Sequence, residues 1–268
     1  PRSSVTRRVD AAEVPAREGD TTLDARIAAA IDTPTICYAE NLTPVNVCRV
    51  CVVDVEGNRT LVPSCSRPAE DDMEIHTDTE RVRHSRKMVL EFLGSGVDLS
   101  QAPEIAEYSA RYDADFGRYA ERESVEVKVV DEPIRIQDEL YIRDYDKCVL
   151  CFKCVSACGD DAQHTFAIAV AGRGFDNRIS TEFDAELPDS ACVYCGNCVA
   201  VCPTNALQFR SEFDHAGDLA AGHERREAVI GTKRTASQFD GRRSSRDVEH
   251  LGRGDRADAA EITGAFPR

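Results

Sequence analysis

Eight of the twelve cysteines fall into two runs of identical spacing, and no other feature of the sequence restricts the fold and chemistry as much. The first run is Cys148-Val-Leu-Cys151-Phe-Lys-Cys154-Val-Ser-Ala-Cys158. The second is Cys192-Val-Tyr-Cys195-Gly-Asn-Cys198-Val-Ala-Val-Cys202, followed by Pro203. A C-x2-C-x2-C-x3-C run puts three thiolates on one tight loop whose turning backbone can offer N–H groups to the sulfurs. It leaves a fourth thiolate for use elsewhere, which is the donor set that a cuboidal iron-sulfur cluster needs.

In proteins with two such runs, the fourth cysteine of each ligates the other cluster. Cys148, Cys151, Cys154 and Cys202 are therefore expected at one 4Fe-4S cluster, and Cys192, Cys195, Cys198 and Cys158 at a second. A pair of zinc sites is the alternative, but zinc ribbons use separated C-x2-C pairs, and duplicated triplets fit that pattern poorly. The remaining four cysteines read Cys37-x10-Cys48-x2-Cys51-x13-Cys65, with no triplet. One long loop completed by a distant residue suits a binuclear 2Fe-2S cluster, with a single zinc on the same four as the plainer reading.

The cysteines carry compartment information as well. The opening PRSSVTRRVD has no apolar stretch that could act as a secretory signal, and no run approaches the roughly 18 apolar residues of a membrane span. A cytoplasmic location without membrane insertion is expected, where thiols stay reduced and clustered cysteines bind metal instead of pairing. Thirty-three basic against 48 acidic residues leave a formal charge of -15, which disfavours nucleic acid and favours protein partners.

Local pattern places these motifs. Asp20 or Thr21 is positioned to cap a short helix through Ile27 and Ile31, and the two β-rich runs flanking Gly57-Asn58 form an expected hairpin leading to Cys65. Val82, Val89, Leu90 and Leu93 share one face of a helix that Gly94 and Gly96 are expected to end. Thr165–Val170 and Arg178–Thr181 read as strands around the turn Ala171-Gly-Arg-Gly. The expected division is a 2Fe-2S domain over 1–96, an acidic connector over 97–140, a two-4Fe-4S domain over 141–210, and a polar partner-binding tail over 211–268.

The segments YAENLTPVNVCRVCVVDVEG and SACVYCGNCVAVCPTNAL resemble the N-terminal iron-sulfur region of NAD-dependent formate dehydrogenase large subunits. The same region is similar to the large iron-sulfur subunit of respiratory complex I, the diaphorase subunits of NAD-linked hydrogenases and the front of iron-only hydrogenases. The resemblance covers about residues 10–212, and the stretch CGDDAQHTFAIAVAGRGFDNRISTEF leans toward the formate dehydrogenase branch. It implies an α+β chain with a plant-type β-grasp 2Fe-2S ferredoxin domain followed by a bacterial-type two-cluster 4Fe-4S ferredoxin domain.

It also implies a role: a separate electron-transfer subunit between a Mo/W-containing catalytic subunit and a flavin- and NAD-binding subunit with its own iron-sulfur centres. The same role in an NAD-linked hydrogenase or complex-I-like module, or a free ferredoxin-like carrier, is the alternative. Many relatives add a cluster on His-x3-Cys-x2-Cys-x5-Cys after the long helix. Here that stretch reads Gly94-Ser-Gly-Val-Asp-Leu-Ser-Gln-Ala-Pro103, with none of those ligands, so the connector is the site of a lost cluster. His76 and His84 read as surface residues. One 2Fe-2S and two 4Fe-4S clusters use all twelve cysteines, which leaves none for a catalytic metal and places catalysis on another chain.

Overall fold

The computed structural model describes residues 4–10, 12–17, 19–120 and 133–214. It is an α+β molecule in which a five-stranded mixed sheet precedes a smaller, loop-rich region that carries the two cysteine runs. No helix among the described residues is long and apolar enough to cross a membrane.

The first half opens with a hairpin, β1 (Ser4–Val9) and β2 (Ala12–Arg17), which turns at Asp10 with φ 47°. Helix α1 (Thr22–Ala28) follows. Of the two candidate caps, Thr21 takes the position: Asp24 N–H donates to its Oγ1 at 3.1 Å, and its own N–H donates to Asp24 Oδ2 at 2.8 Å. Asp20 is engaged elsewhere, accepting from Arg17 N–H at 2.8 Å.

The expected hairpin forms from β3 (Val52–Val55) and β4 (Val62–Pro63), with Val53 opposite Val62. Strand β5 (Glu74–His76) then inserts between β3 and β1, antiparallel to the former and parallel to the latter, giving the order β2-β1-β5-β3-β4. Val9, Val53, Val55 and Ile75 from three strands meet Ala25 of α1 in one buried cluster. Each of the valines and the isoleucine contributes about 1.5–3 kcal/mol by leaving water, which is what fixes the register.

Helix α2 (Glu80–Gly96) starts at the cap Thr79, whose Oγ1 accepts from Val82 N–H at 3.2 Å. Its buried positions Val82, Arg86 and Leu90 recur every four residues, as the apolar pattern requires, although the middle one is a cation. The helix passes through Gly94 and ends at Gly96, so of the two glycines expected to end it only the second does. The reason lies in the connector: a Cβ on Gly94 would fall inside the Phe116 ring. This glycine serves close approach.

The segment after α2 has structure of its own. Helix α3 (Pro103–Arg111) begins with proline at its first turn and buries Ile105, and α4 (Gly117–Ala120) packs on α2. Tyr119 stacks on Phe92 of α2 with centroids 4.3 Å apart. Arg118 reaches the fully buried Glu91 at 2.9 Å. The alternating valines at 125–129 and the tail from 215 onward lie outside the described residues.

The second half pairs β6 (Tyr141–Arg143) with β9 (Leu207–Phe209), its first and last elements. Between them come α5 (Lys153–Cys158), the hairpin β7 (Ile168–Ala171) and β8 (Arg178–Thr181), and α6 (Asn197–Ala200). Both hairpin strands and their turn fall where the sequence pattern puts them.

Gly94→Ala tests the close approach. Helix propensity alone makes it stabilising by up to about 1 kcal/mol. The overlap with Phe116 reverses the sign, and a loss of about 1–3 kcal/mol is expected in urea unfolding.

Candidate metal centres

The two cysteine runs fold alike because their backbones turn left-handed at matching positions. Leu150 and Tyr194 have φ of 52° and 55°, and Phe152 and Gly196 have φ of 61° and 79°. Each pair occupies the same place in its run, and each second turn leads directly into a short helix, α5 or α6. The left-handed turns curl each loop around a point at which its three sulfurs converge.

Two enclosed pockets result, and each draws its sulfurs from both runs. One is lined by Cys148, Cys151 and Cys154 together with Cys202. The other is lined by Cys192, Cys195 and Cys198 together with Cys158. The electrostatics of the thiols follow the same grouping. Burial raises the Cys154 thiol well above its ordinary value, with Cys151, Cys202 and Cys148 adding to the shift. Burial also pushes Cys198 up to about 12, helped by Cys192, Cys158 and Cys195. Four mutually repelling thiols in an apolar cavity stay protonated unless cations occupy the space between them.

Aromatic rings close these pockets. Tyr141 of β6 stacks on Tyr194 at 5.3 Å, lies 5.6 Å from Phe209, and donates its hydroxyl to the Tyr194 carbonyl at 2.7 Å. Burial and then the thiols of Cys198, Cys192 and Cys195 raise this phenol to about 12. Tyr145 covers the other pocket, and burial raises it to about 12 as well. Arg143, 1% exposed with unpartnered Nε and Nη1, lines the pocket of Cys158, Cys192, Cys195 and Cys198. Sequence reasoning passed over this residue because a single arginine in a strand carries no spacing signal.

The other four cysteines lie on the loop between α1 and β3 and just after β4. Cys37, Cys51 and Cys65 are 2%, 2% and 1% exposed, and Cys48 is half-buried. They form two hydrogen-bonded pairs. Cys37 holds the proton of the first pair, which lowers Cys48 to about 5 against its burial, with N–H groups of Val50, Cys37 and Ile36 assisting. Cys65 holds the proton of the second and lowers Cys51 to about 6. The site is thus arranged to receive cations on sulfur. The two histidines stand apart from this chemistry: His84 is exposed on α2, and His76 lies 3.9 Å from Glu74 on β5.

The first cysteine site and the two cysteine runs are not independent. Cys37 and Cys151 belong to one buried cluster with Ile36, Val50 and Leu90, and Cys48 and Val149 pack against it. Cys48 and Cys202 both act on the Cys151 thiol, which burial raises to about 11. Polar ties hold this contact. Thr43 donates to Asp161 through N–H at 2.8 Å and Oγ1 at 2.7 Å, and Lys147 meets Asp98 at 3.3 Å.

Residues 2–80 match the model for a 2Fe-2S iron-sulfur cluster binding domain, and residues 147–206 match that for a 4Fe-4S dicluster domain. The chain thus carries, in order, a match to a 2Fe-2S cluster binding domain and a match to a 4Fe-4S dicluster domain. Over 217 residues it is 36% identical to NADP-reducing hydrogenase subunit HndD of Solidesulfovibrio fructosivorans, covering 76% of this chain and 36% of that one. It is 30% identical over 209 residues to the mitochondrial NADH-ubiquinone oxidoreductase 78 kDa subunit of Candida albicans, covering 74% and 28%. A putative formate dehydrogenase of Staphylococcus haemolyticus is 28% identical over 179 residues, covering 65% and 18%. The chain thus spans well under half the length of these relatives. In fold it is similar to a chain of an NAD+-reducing NiFe-hydrogenase, with a TM-score of 0.67 at 24% identity over 78% of this chain and 88% of that chain.

The paired thiols of the first region predict a titration. In the iron-free protein, Cys48 and Cys51 stay ionised from neutral pH down to about 5 and 6 respectively, and their ultraviolet thiolate absorbance disappears only below that range. In the unfolded chain the same absorbance is lost below about 8.5. The folded state therefore gains stability from these pairs as pH rises from about 5 and 6 toward 8.5, and loses it again above that, where Cys37 and Cys65 keep protons that the unfolded chain has released. A thiolate spectrum that vanishes near 8.5 in the folded protein contradicts this arrangement.

Proposed function

We propose that this protein is an iron-sulfur electron relay that holds one 2Fe-2S cluster on Cys37, Cys48, Cys51 and Cys65 and two 4Fe-4S clusters. The first cuboidal centre uses Cys148, Cys151, Cys154 and Cys202, and the second uses Cys192, Cys195, Cys198 and Cys158. The observation that carries this reading is the pair of enclosed pockets, each lined by three sulfurs of one run and one of the other. All-thiolate sites with four donors each suit iron with bridging sulfide, and the apolar aromatic walls limit water, which tunes potential. In this reading residues 1–96 form a β-grasp ferredoxin domain, supported by the sheet order with α1 packed on it, and 141–210 form the two-cluster domain.

The packing supports an order along the relay. Cys48 and Cys151 adjoin through one buried cluster, and Cys154 and Cys198 act on one another, so the Cys148 centre lies between the other two. Cys195 is exposed, which supports the outer cuboidal centre as the one that exchanges electrons with a partner.

The relay belongs, in our reading, to an NAD-linked formate dehydrogenase, with electrons entering from a molybdenum or tungsten site and leaving through a flavin. The stretch 158–183 and the formate dehydrogenase relative support it. The higher identity to a hydrogenase subunit favours a second reading, the same relay fed by hydrogen. Formate-dependent against hydrogen-dependent reduction of the cluster EPR signals in the native complex separates the two. Reduction by hydrogen alone rejects formate.

The cluster set predicts about ten iron atoms and about ten acid-labile sulfides per chain. Cys202→Ala is expected to remove one cuboidal EPR signal and leave the binuclear signal intact. Simultaneous loss of all signals, or a colourless parent protein with zinc, contradicts the assignment.

A further inference from the structure

Two cations are buried beside the first cysteine site in a way the relay does not require. Arg26 of α1 is 0% exposed and Arg86 of α2 is 2% exposed. Arg86 donates Nε to the Val50 carbonyl at 3.1 Å and Nη2 to the Val52 carbonyl at 2.9 Å, which brackets Cys51. Its third bond, from Nη1 to Tyr112 Oη at 2.7 Å, is again to a neutral group. Arg26 donates Nη2 to the Asp32 carbonyl at 3.1 Å, and its Nε and Nη1 are buried without a partner.

Burying a guanidinium without an anion is costly, and burying two within range of each other is costlier. The repulsion is visible: burial first, and Arg86 second, bring Arg26 down to about 10, while Asp10, Tyr112 and Cys51 act the other way. Asp10 is the one carboxylate among these, and both its oxygens are engaged by Thr77, through N–H at 2.8 Å and through the hydroxyl. Leu23 of α1 packs directly on Cys51 and Cys65, so the helix that carries Arg26 forms a wall of the sulfur site.

We propose that Arg26 and Arg86 are a buried cation pair that supplies the counter-charge of the binuclear centre and raises its reduction potential. The proposal rests on the 2Fe-2S reading of Cys37, Cys48, Cys51 and Cys65. A centre with four thiolates and two sulfides is anionic and becomes more so on accepting one electron, and net charge is one of the levers on its potential. Two fixed guanidinium groups favour the reduced form without taking or releasing a proton, because both remain charged. The unsatisfied Arg26 nitrogens and the repulsion between the two cations are then stresses of the iron-free protein that the anionic centre relieves.

This predicts effects of opposite sign in the two forms. In the full chain with all clusters, Arg26→Met is expected to lower the reduced-to-oxidised ratio of the binuclear EPR signal at fixed potential at least tenfold, about 59 mV for one electron. Both cuboidal signals keep their midpoints, and Arg26→Lys keeps the binuclear midpoint of the parent. In the iron-free form, Arg26→Met unfolds in urea no earlier than the parent. A binuclear midpoint in Arg26→Met equal to that of the parent overturns the proposal, as does an iron-free variant clearly less stable than the parent. Should Arg26→Met lose the binuclear signal, retention of that signal at the parent midpoint in Arg26→Lys supports the charge role. Loss in both variants assigns the residue to packing and overturns it. A parent protein with no binuclear signal after dithionite reduction rejects the cluster reading itself, a result separable from all of these.

Discussion

Sulfur atoms crowded into low-dielectric pockets resist ionisation, and the rest of the molecule is organised around that resistance. Thiols at both cuboidal pockets are raised by burial and by one another, so each pocket favours either protons or a compact group of cations. The surrounding structure is built to hold the sulfurs in place under that repulsion. Left-handed turns at Leu150, Phe152, Tyr194 and Gly196 fix the loops, and the β6–β9 ladder pins the two ends of the region together. Because each pocket borrows its fourth sulfur from the other run, neither forms without the other.

The first site solves the same problem by other means. Its cysteines share protons in pairs, backbone N–H groups lower Cys48, and a buried arginine on α2 grips the chain on both sides of Cys51. The five-stranded sheet presents this loop, and α2 reaches from it to the helices that follow. Glu91, Gly94 and Phe92 each anchor part of the segment after α2. The stretch after α2 packs Ala102, Ile105 and Tyr112 into the core that joins the two regions.

The two cysteine runs and the four cysteines outside them could be read before any coordinates because spacing is a local property. A triplet two residues apart folds around one point whatever surrounds it. The hairpins at Gly57-Asn58 and Gly172, the cap near residue 21 and the start of α2 were legible for the same reason, since turns and caps depend on a few neighbouring residues. Of the two glycines expected to end α2 only Gly96 does so, because a glycine that breaks a helix and one that admits a neighbouring ring are identical in sequence. Only Phe116, 22 residues downstream by its number, distinguishes them.

Sequence alone therefore determined the donor atoms, their number and their grouping into runs, since these follow from short-range spacing and thiol chemistry. Tertiary structure decided which sulfurs share a pocket, which pockets adjoin, and where the cations stand. Arg26, Arg86 and Arg143 look like surface residues in the sequence, because charge usually seeks water. Their burial arises from strands and helices distant in the chain closing over them, a long-range outcome that no local pattern encodes.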